Sequence, residues 1–267
     1  MSSTDCNDPR HDAFSVRQAP LERLGHWVHQ GWNDMIRAGW PSYLHGVIVF
    51  VLSLFTMSVA LTDVHLLPGV ATAFVLVGPI LATGLYALSR RLETEEKPTL
   101  RDVLNAWRTA SRCLWRFSVV LIAVGAAWVF VSALLFDLFV KEEINDLPGF
   151  LQYVLTQDTD QFILWSLAGG LVAGLTFAMT VVAVPLLLDR DVTTRIAVRA
   201  SIRAVGENPG VMTFWALFIG LLTAFSMVTA MVGFIVLYPL MGHASWRLYR
   251  DIIEVDGAAA PERSARP

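Results

Sequence analysis

The longest apolar run of this chain, from residue 211 to residue 246, holds no charged side chain, and it sets the fold class. A single straight helix of that length would extend about 54 Å, against roughly 30 Å of bilayer hydrocarbon. The stretch must therefore turn back on itself, and Ser226, Thr229 and Gly233 place the turn at 227–233. Four further runs are long enough to cross: 43–61, 66–89, 117–140 and 162–188. The third is interrupted only by Asp137, and Asp189-Arg190-Asp191 closes the fourth. Dividing the last run into 211–228 and 231–248 gives six expected spans. Only 16% of the residues are charged, where soluble domains carry about 25%. The expected fold is thus all-α, a polytopic bundle of six spans.

The loop charges orient it. Of the 20 Lys and Arg, all but Lys141 fall on one side of this arrangement. Lys141 sits among Glu142, Glu143, Asp146, Asp158 and Asp160 in the segment 141–161. Cytoplasmic loops favour basic residues, so both termini are expected in the cytoplasm. One transmembrane domain, 19–254, is expected between disordered tails at 1–18 and 255–267. The first forty residues hold no apolar run of signal-peptide length, so the first span is expected to double as the insertion signal. Cys6 and Cys113 both fall on the cytoplasmic side and are expected as free, reduced thiols.

Three prolines suggest an internal repeat: Gly78-Pro79-Ile80-Leu81, Val184-Pro185-Leu186-Leu187 and Tyr238-Pro239-Leu240-Met241. Each falls in the second helix of a span pair, and Arg90 and Arg250 follow the first and third at the same spacing. A basic amphipathic stretch precedes each pair, at 21–37, 100–116 and 192–205. In the third, Arg195, Arg199 and Arg203 form a stripe at i, i+4, i+8. The expected unit is a surface helix followed by a helical hairpin, three times over. The basic helices suit the headgroup layer, with lipids as partners, or a docking face for a membrane or cytosolic protein. Each proline frees a carbonyl one turn earlier, at Val75, Val181 and Ile235. Those carbonyls either line a cavity for a small solute or mark kinks that let the hairpins pack. Gly170 and Gly174 form a GxxxG suited to close helix contact.

The chemistry expected is sparse. No Lys, Arg, Asp or Glu falls in the predicted bilayer core, where a coupled transporter keeps one. There is no GxxxxGK[ST], HExxH or GxSxG, so no catalytic residue, metal site or cofactor is expected. The basic residues are spread along the membrane face, which leaves nucleic-acid binding without support. His45 and His243 fall at similar depth near the cytoplasmic ends of their spans. A facing pair would suit haem, whereas two interfacial histidines need only local hydrogen bonds.

Several motifs resemble a known family. Gly31-Trp32-Asn33-Asp34, the segment 78–93 (GPILATGLYALSRRLE), the segment 185–192 (PLLLDRDV), Asn208-Pro209-Gly210 and the segment 239–251 (PLMGHASWRLYRD) are similar to the bacterial integral membrane family catalogued as domain of unknown function 2189. The resemblance covers about residues 31–253. It implies an inner-membrane protein of proteobacterial type and supplies no catalytic residue. The expected role is non-enzymatic, acting through lipid or protein contacts as a scaffold or membrane organiser. The alternative is a passive channel or carrier for a small neutral solute passing near Pro79, Pro185 and Pro239. A redox subunit using His45 and His243 is a third.

Overall fold

A computed structural model describes residues 14–62, 66–94, 96–139, 144, 148–149, 152–153 and 159–255. The chain opens with a short strand, β1 (Phe14–Val16), then α1 (Arg23–Ala38) and α2 (Trp40–Ala60). Next come α3 (Leu67–Leu81), α4 (Thr83–Leu92), α5 (Leu100–Thr109) and α6 (Arg112–Phe139). After these follow α7 (Thr159–Thr180), α8 (Ala183–Asp189), α9 (Thr194–Glu207) and α10 (Pro209–Val228). The last helix, α11 (Phe234–Ile252), runs directly into β2 (Ile253–Val255), which pairs antiparallel with β1.

Four segments are long and apolar enough to cross a membrane: Trp40–Ala60, Arg112–Phe136, Ile163–Asp189 and Pro209–Val228. The other two expected spans take a different form. The run 66–89 divides at Ala82 into α3 and α4, three residues after Pro79 removes a backbone donor. In α11 the second half carries His243, Arg247 and Arg250, which dilutes its apolar character.

Helix α11 is the centre of the assembly. It packs most extensively against α1 and α2, and two glycines permit the approach. A Cβ on Gly31 of α1 would lie 2.6 Å from the Ala244 backbone nitrogen. One on Gly46 of α2 would overlap the carbonyl of Ile235, the group that Pro239 frees. That proline thus lets α11 offer an open backbone face to a neighbour with no side chain. Gly39, at φ 67 and ψ −138, joins α1 to α2 without a loop in a conformation that only glycine adopts cheaply.

The turn expected within 227–233 is present: α10 ends at Val228 and α11 begins at Phe234. Ala230 and Met231 take left-handed backbone angles there. The turn meets its own hydrogen-bonding needs. Met231 N–H donates to the Ser226 carbonyl at 2.8 Å, and the Thr229 hydroxyl accepts from Gly233 N–H at 3.2 Å. A turn flanked by apolar helices requires that, since hydrocarbon supplies no partners.

The amphipathic stretches all contain helix, with one change. Thr99 and Asp102 form a capping box at the start of α5, but the expected stretch 100–116 breaks at Ala110, whose ψ of 135° ends the helix. Residues 112–116 belong instead to the first turns of α6. In α1 the buried positions are Trp27, Gly31, Asp34, Met35 and Ala38, the i, i+4, i+7 spacing of one face.

Other expectations need correction. The tails were expected to run to residue 18 and from 255, yet Phe14–Val16 and Val255 are strand. Arg17 N–H bonds the Ile252 carbonyl at 2.8 Å, and Asn208 holds Ala19 N–H at 2.7 Å and the Arg17 carbonyl at 3.1 Å. Residues 1–13 and 256–267 lie outside the described residues. Cys113 is disulfide-bonded rather than a free thiol, and Cys6 lies outside the described residues. Gly170 and Gly174 face open space, with nothing packed on them; it is Gly169 that meets Trp128. Of the segment 141–161, Lys141 and the acidic residues around it lie outside the described residues, apart from the backbone of Asp160. Its Ile144 and Tyr153 are buried in a small cluster with Ala60, Leu67 and Phe136.

Candidate functional site

The second half of α11 gathers four buried polar side chains, Asp34, Ser42, Ser89 and His243, into one cap. Its centre is Asp34 of α1, a carboxylate only 2% exposed. Arg247 grips it with two parallel bonds, Nε to Oδ2 and Nη2 to Oδ1, both 2.7 Å. The Ser89 hydroxyl at the end of α4 donates to Asp34 Oδ2 at 2.9 Å. His243 sits beyond, its Nδ1 2.7 Å from Ser89 Oγ and its Nε2 2.8 Å from Ser42 Oγ.

These distances fix the proton directions. An ionised carboxylate only accepts, so the single Ser89 proton goes to Asp34. His243 Nδ1–H must then donate to Ser89 Oγ, and Nε2 accepts from the Ser42 hydroxyl. The chain runs Ser42, His243, Ser89, Asp34, Arg247. It has the residue types of a nucleophile, a base and an orienting acid. Chemically it is closed: Ser42, His243 and Ser89 are each fully buried. What it does is lock α1, α2, α4 and α11 together.

Two further clusters extend the cap. Glu93 accepts from Trp246 Nε1 at 2.9 Å and pairs with Arg250 at 3.3 Å. Asp189, at the end of α8, accepts from the Tyr249 hydroxyl at 2.9 Å and lies 3.5 Å from Arg250. Arg90, the residue that the proline alignment pairs with Arg250, donates to the Leu188 carbonyl at 2.9 Å. Both aligned arginines therefore reach the same helix end, where partial negative charge collects. On the far side Asp251 takes two bonds from Arg23, at 2.7 and 2.6 Å, and one from Trp27 Nε1 at 2.8 Å. Burial by itself would raise the Asp251 carboxyl, but the hydrogen bonds from Arg23 and Trp27 hold it below the ordinary 3.8.

The residues singled out in the sequence divide between this cap and the apolar layer next to it. His243 is in the cap. His45 is not: its Nε2 contacts the Leu81 carbonyl at 2.6 Å, and its ring stacks on Tyr238. Each imidazole is thus engaged by protein groups. Gly78 and Pro79 line a cavity of about 100 Å³ between α3, α4, α7, α10 and α11. Pro185 and Pro239 do not; Val181 and Tyr238, a turn or a residue earlier, take their places. Arg195, Arg199 and Arg203 lie exposed on α9, opposite its buried Ala197, Ala200 and Ala204. Arg203 bonds Glu207, while Arg195 and Arg199 have no ion-pair partner among the described residues.

Sequence reasoning missed Asp34, Ser42, Ser89 and Arg247. One local signal existed: His243 and Arg247 are four residues apart, on one face of a helix otherwise read as apolar.

No curated protein and no solved structure matches the chain. The segment from α3 to the end of α8, residues 66–189, matches the family described as predicted integral membrane protein (DUF2189). That segment contains two of the five motifs, 78–93 and most of 185–192; those around Asp34, Asn208 and α11 lie outside it. Over residues 66–189 the chain is thus similar to this family of predicted integral membrane proteins, in keeping with its four helices long and apolar enough to cross a membrane.

Proposed function

We propose that this is a non-enzymatic protein of a bacterial inner membrane, acting as a scaffold or membrane organiser through contacts with lipid or another protein. One observation carries the reading. The acid–base groups that come together in the fold are buried and spent on one another, while what faces outward is apolar helix and an arginine stripe. Leu171, Leu175, Leu217 and Leu221 are all more than half exposed on α7 and α10, as lipid-facing residues are. Arg195 and Arg199 stand ready for anionic headgroups or an acidic partner.

In this reading the chain crosses six times as three hairpins, with α3–α4 and α11 completing the four long apolar segments, and both ends are cytoplasmic. The polar ends of α4, α8 and α11 and the start of α2 meet in one cap, which supports a common side for them. Reporter fusions after Arg90, at Asn145 and at Asp251 are expected to read inside, outside and inside. An inverted result at any of them overturns the topology.

The contact role is tested by photocrosslinkers placed at Arg195 and Arg199 in native membranes. A reproducible lipid or protein adduct, lost when Arg203 and the remaining arginine are changed to Gln, is the expected outcome. Crosslinks that scatter and ignore those changes overturn it. The carrier alternative has the cavity beside Pro79 in its favour. Against it, a solute leaving that cavity toward the cap would meet Ser42, Ser89 and His243, all fully buried.

A further inference from the structure

The cavity beside Pro79 leaves polar groups on its lining unused. Tyr86 is 4% exposed, and its hydroxyl has no hydrogen-bond partner among the described residues. The Ser245 hydroxyl is likewise unpartnered and nearly buried. Among the described residues, the side-chain polar atoms fully enclosed without a partner are Trp128 Nε1 and Trp215 Nε1. The Tyr86 and Ser245 oxygens therefore retain accessible surface, and both residues line the cavity. Next to them the Tyr238 hydroxyl donates to the Gly78 carbonyl at 2.7 Å, which leaves its oxygen free to accept. An unpaired buried hydroxyl costs about 1–3 kcal/mol, so such groups usually find water or a ligand.

Apart from Thr180 and Thr223 the remaining walls are apolar, Pro79, Phe177, Ile219, Phe234 and Met241 among them. In the six-span reading the cavity's lateral wall, between α7 and α10, lies toward the bilayer. Ala173 and Phe177 of α7 face Ile219 and Thr223 of α10 across it, and these two helices do not form a packed pair. Flanking the gap on the outer faces are Leu171, Leu175, Leu217 and Leu221, all exposed. A ligand would arrive through the hydrocarbon, which selects against charge. The lining offers no charged side chain, so nothing inside would compensate a charged ligand.

We infer that this cavity is a binding site for a neutral, bilayer-soluble molecule whose slender apolar body carries a carbonyl or similar acceptor oxygen. Tyr86 donates to that oxygen, and Ser245 offers a second hydroxyl. The volume admits about one six-membered ring or the end of a chain, comparable with cavities that hold benzene. The site goes beyond the contact role proposed above and does not depend on it, since that role is read from α9 on the opposite, polar side.

The test uses the full chain in nanodiscs of phosphatidylethanolamine and phosphatidylglycerol, with a diazirine-bearing long-chain ketone as probe. Labelling is expected to saturate, to map to α7, α10 and α11 around Phe177, Ile219 and Met241, and to be displaced by unlabelled ketone. The matching carboxylate should fail to displace it. Tyr86→Phe should weaken labelling about tenfold, the worth of one buried hydrogen bond, while leaving thermal stability unchanged, because the hydroxyl has no protein bond to lose. Ala173→Phe, which blocks the entrance, should abolish labelling. Non-saturating label spread along Leu171, Leu175 and Leu217 overturns the proposal, as does a carboxylate that competes equally or a Tyr86→Phe protein that labels like the parent. The Tyr86 variant decides the matter should Ala173→Phe fail to fold.

Discussion

The two halves of α11 meet at Pro239 and obey opposite rules. Beyond the proline, from His243 to Asp251, the polar side chains other than Ser245 are tied to partners on α1, α2, α4 and α8. Around and before it, Phe234 and Tyr238 border a cavity in which Tyr86 and Ser245 hydroxyls go unused. Both halves are buried, so burial alone does not separate them. The difference is satisfaction. A fully paired buried network is rigid and specifies one arrangement of helices, whereas a partly paired one pays for its open groups unless something fills them. The first half of that statement makes the cap a fastening, and the second makes the cavity a site.

The largest effect is expected from breaking the centre of the cap. Asp34→Ala strands the Arg247 guanidinium in a mostly buried position, and Arg247→Ala strands Asp34. Each should cost about 3–5 kcal/mol, the penalty for orphaning a buried charge. Thermal unfolding of the purified protein in detergent reads this directly. The double variant should cost little more than either single one, because the two side chains act as a unit. Additive losses would mean that the pair is not the fastening.

Next come the glycines that let α11 approach. Gly31→Val forces atoms into the Ala244 backbone, which cannot yield as a side-chain tip can. Overpacking of this kind costs about 1–3 kcal/mol, so a lowered unfolding temperature is expected. Gly170→Val, on an open face of α7, should change it little. Equal effects at the two positions would count against α11 as the packing centre.

This contrast also shows what the sequence could disclose. Charge-free runs and turn residues made four long apolar helices and the break before Phe234 legible, because hydropathy and backbone chemistry are local properties. The Arg195, Arg199 and Arg203 stripe was legible for the same reason, being a helical spacing. The cap was not. Asp34 and Arg247 read as charges outside the spans, since hydropathy treats any charge as a boundary and cannot see a partner 213 residues away. His243 was noticed only as a histidine at a certain depth; its meaning lay in Ser42 and Ser89, two serines that no spacing rule selects. The proline alignment located the cavity only in part. It identified Pro79, but the walls come from Tyr86, Phe177 and Tyr238, which tertiary packing brings there.

A smaller effect concerns acidity at the edge of the cap. Asp251 is held below its ordinary pKa of 3.8 by Arg23 and Trp27 despite partial burial. A depressed carboxylate contributes stability above its unfolded pKa and loses it as pH falls through the folded value. The protein should therefore weaken on titration from about pH 4 downward. Asp251→Asn should be less stable than the parent at neutral pH and flatter across that acid range, as measured by unfolding temperature against pH. Parallel curves for the two proteins would remove Asp251 from the cap's ledger of charge pairs.

The smallest effect separates the two tyrosines and so tests the comparison at its sharpest. Tyr238 and Tyr86 border the same cavity and are both nearly buried. Only Tyr238 spends its proton, on the Gly78 carbonyl at the bend made by Pro79. Tyr238→Phe removes that bond and leaves a carbonyl short of one partner, which should lower stability by about 1 kcal/mol. Tyr86→Phe removes an oxygen that has no hydrogen-bond partner among the described residues and should leave stability unchanged or slightly raised. The order of the two unfolding temperatures is the measurement. If Tyr86→Phe proves the more damaging in lipid-free detergent, its hydroxyl is part of the fastening and not of the site. If it is damaging only when membrane lipid is retained through purification, the partner it loses came from the bilayer, as an unfilled hydroxyl beside a lateral opening requires.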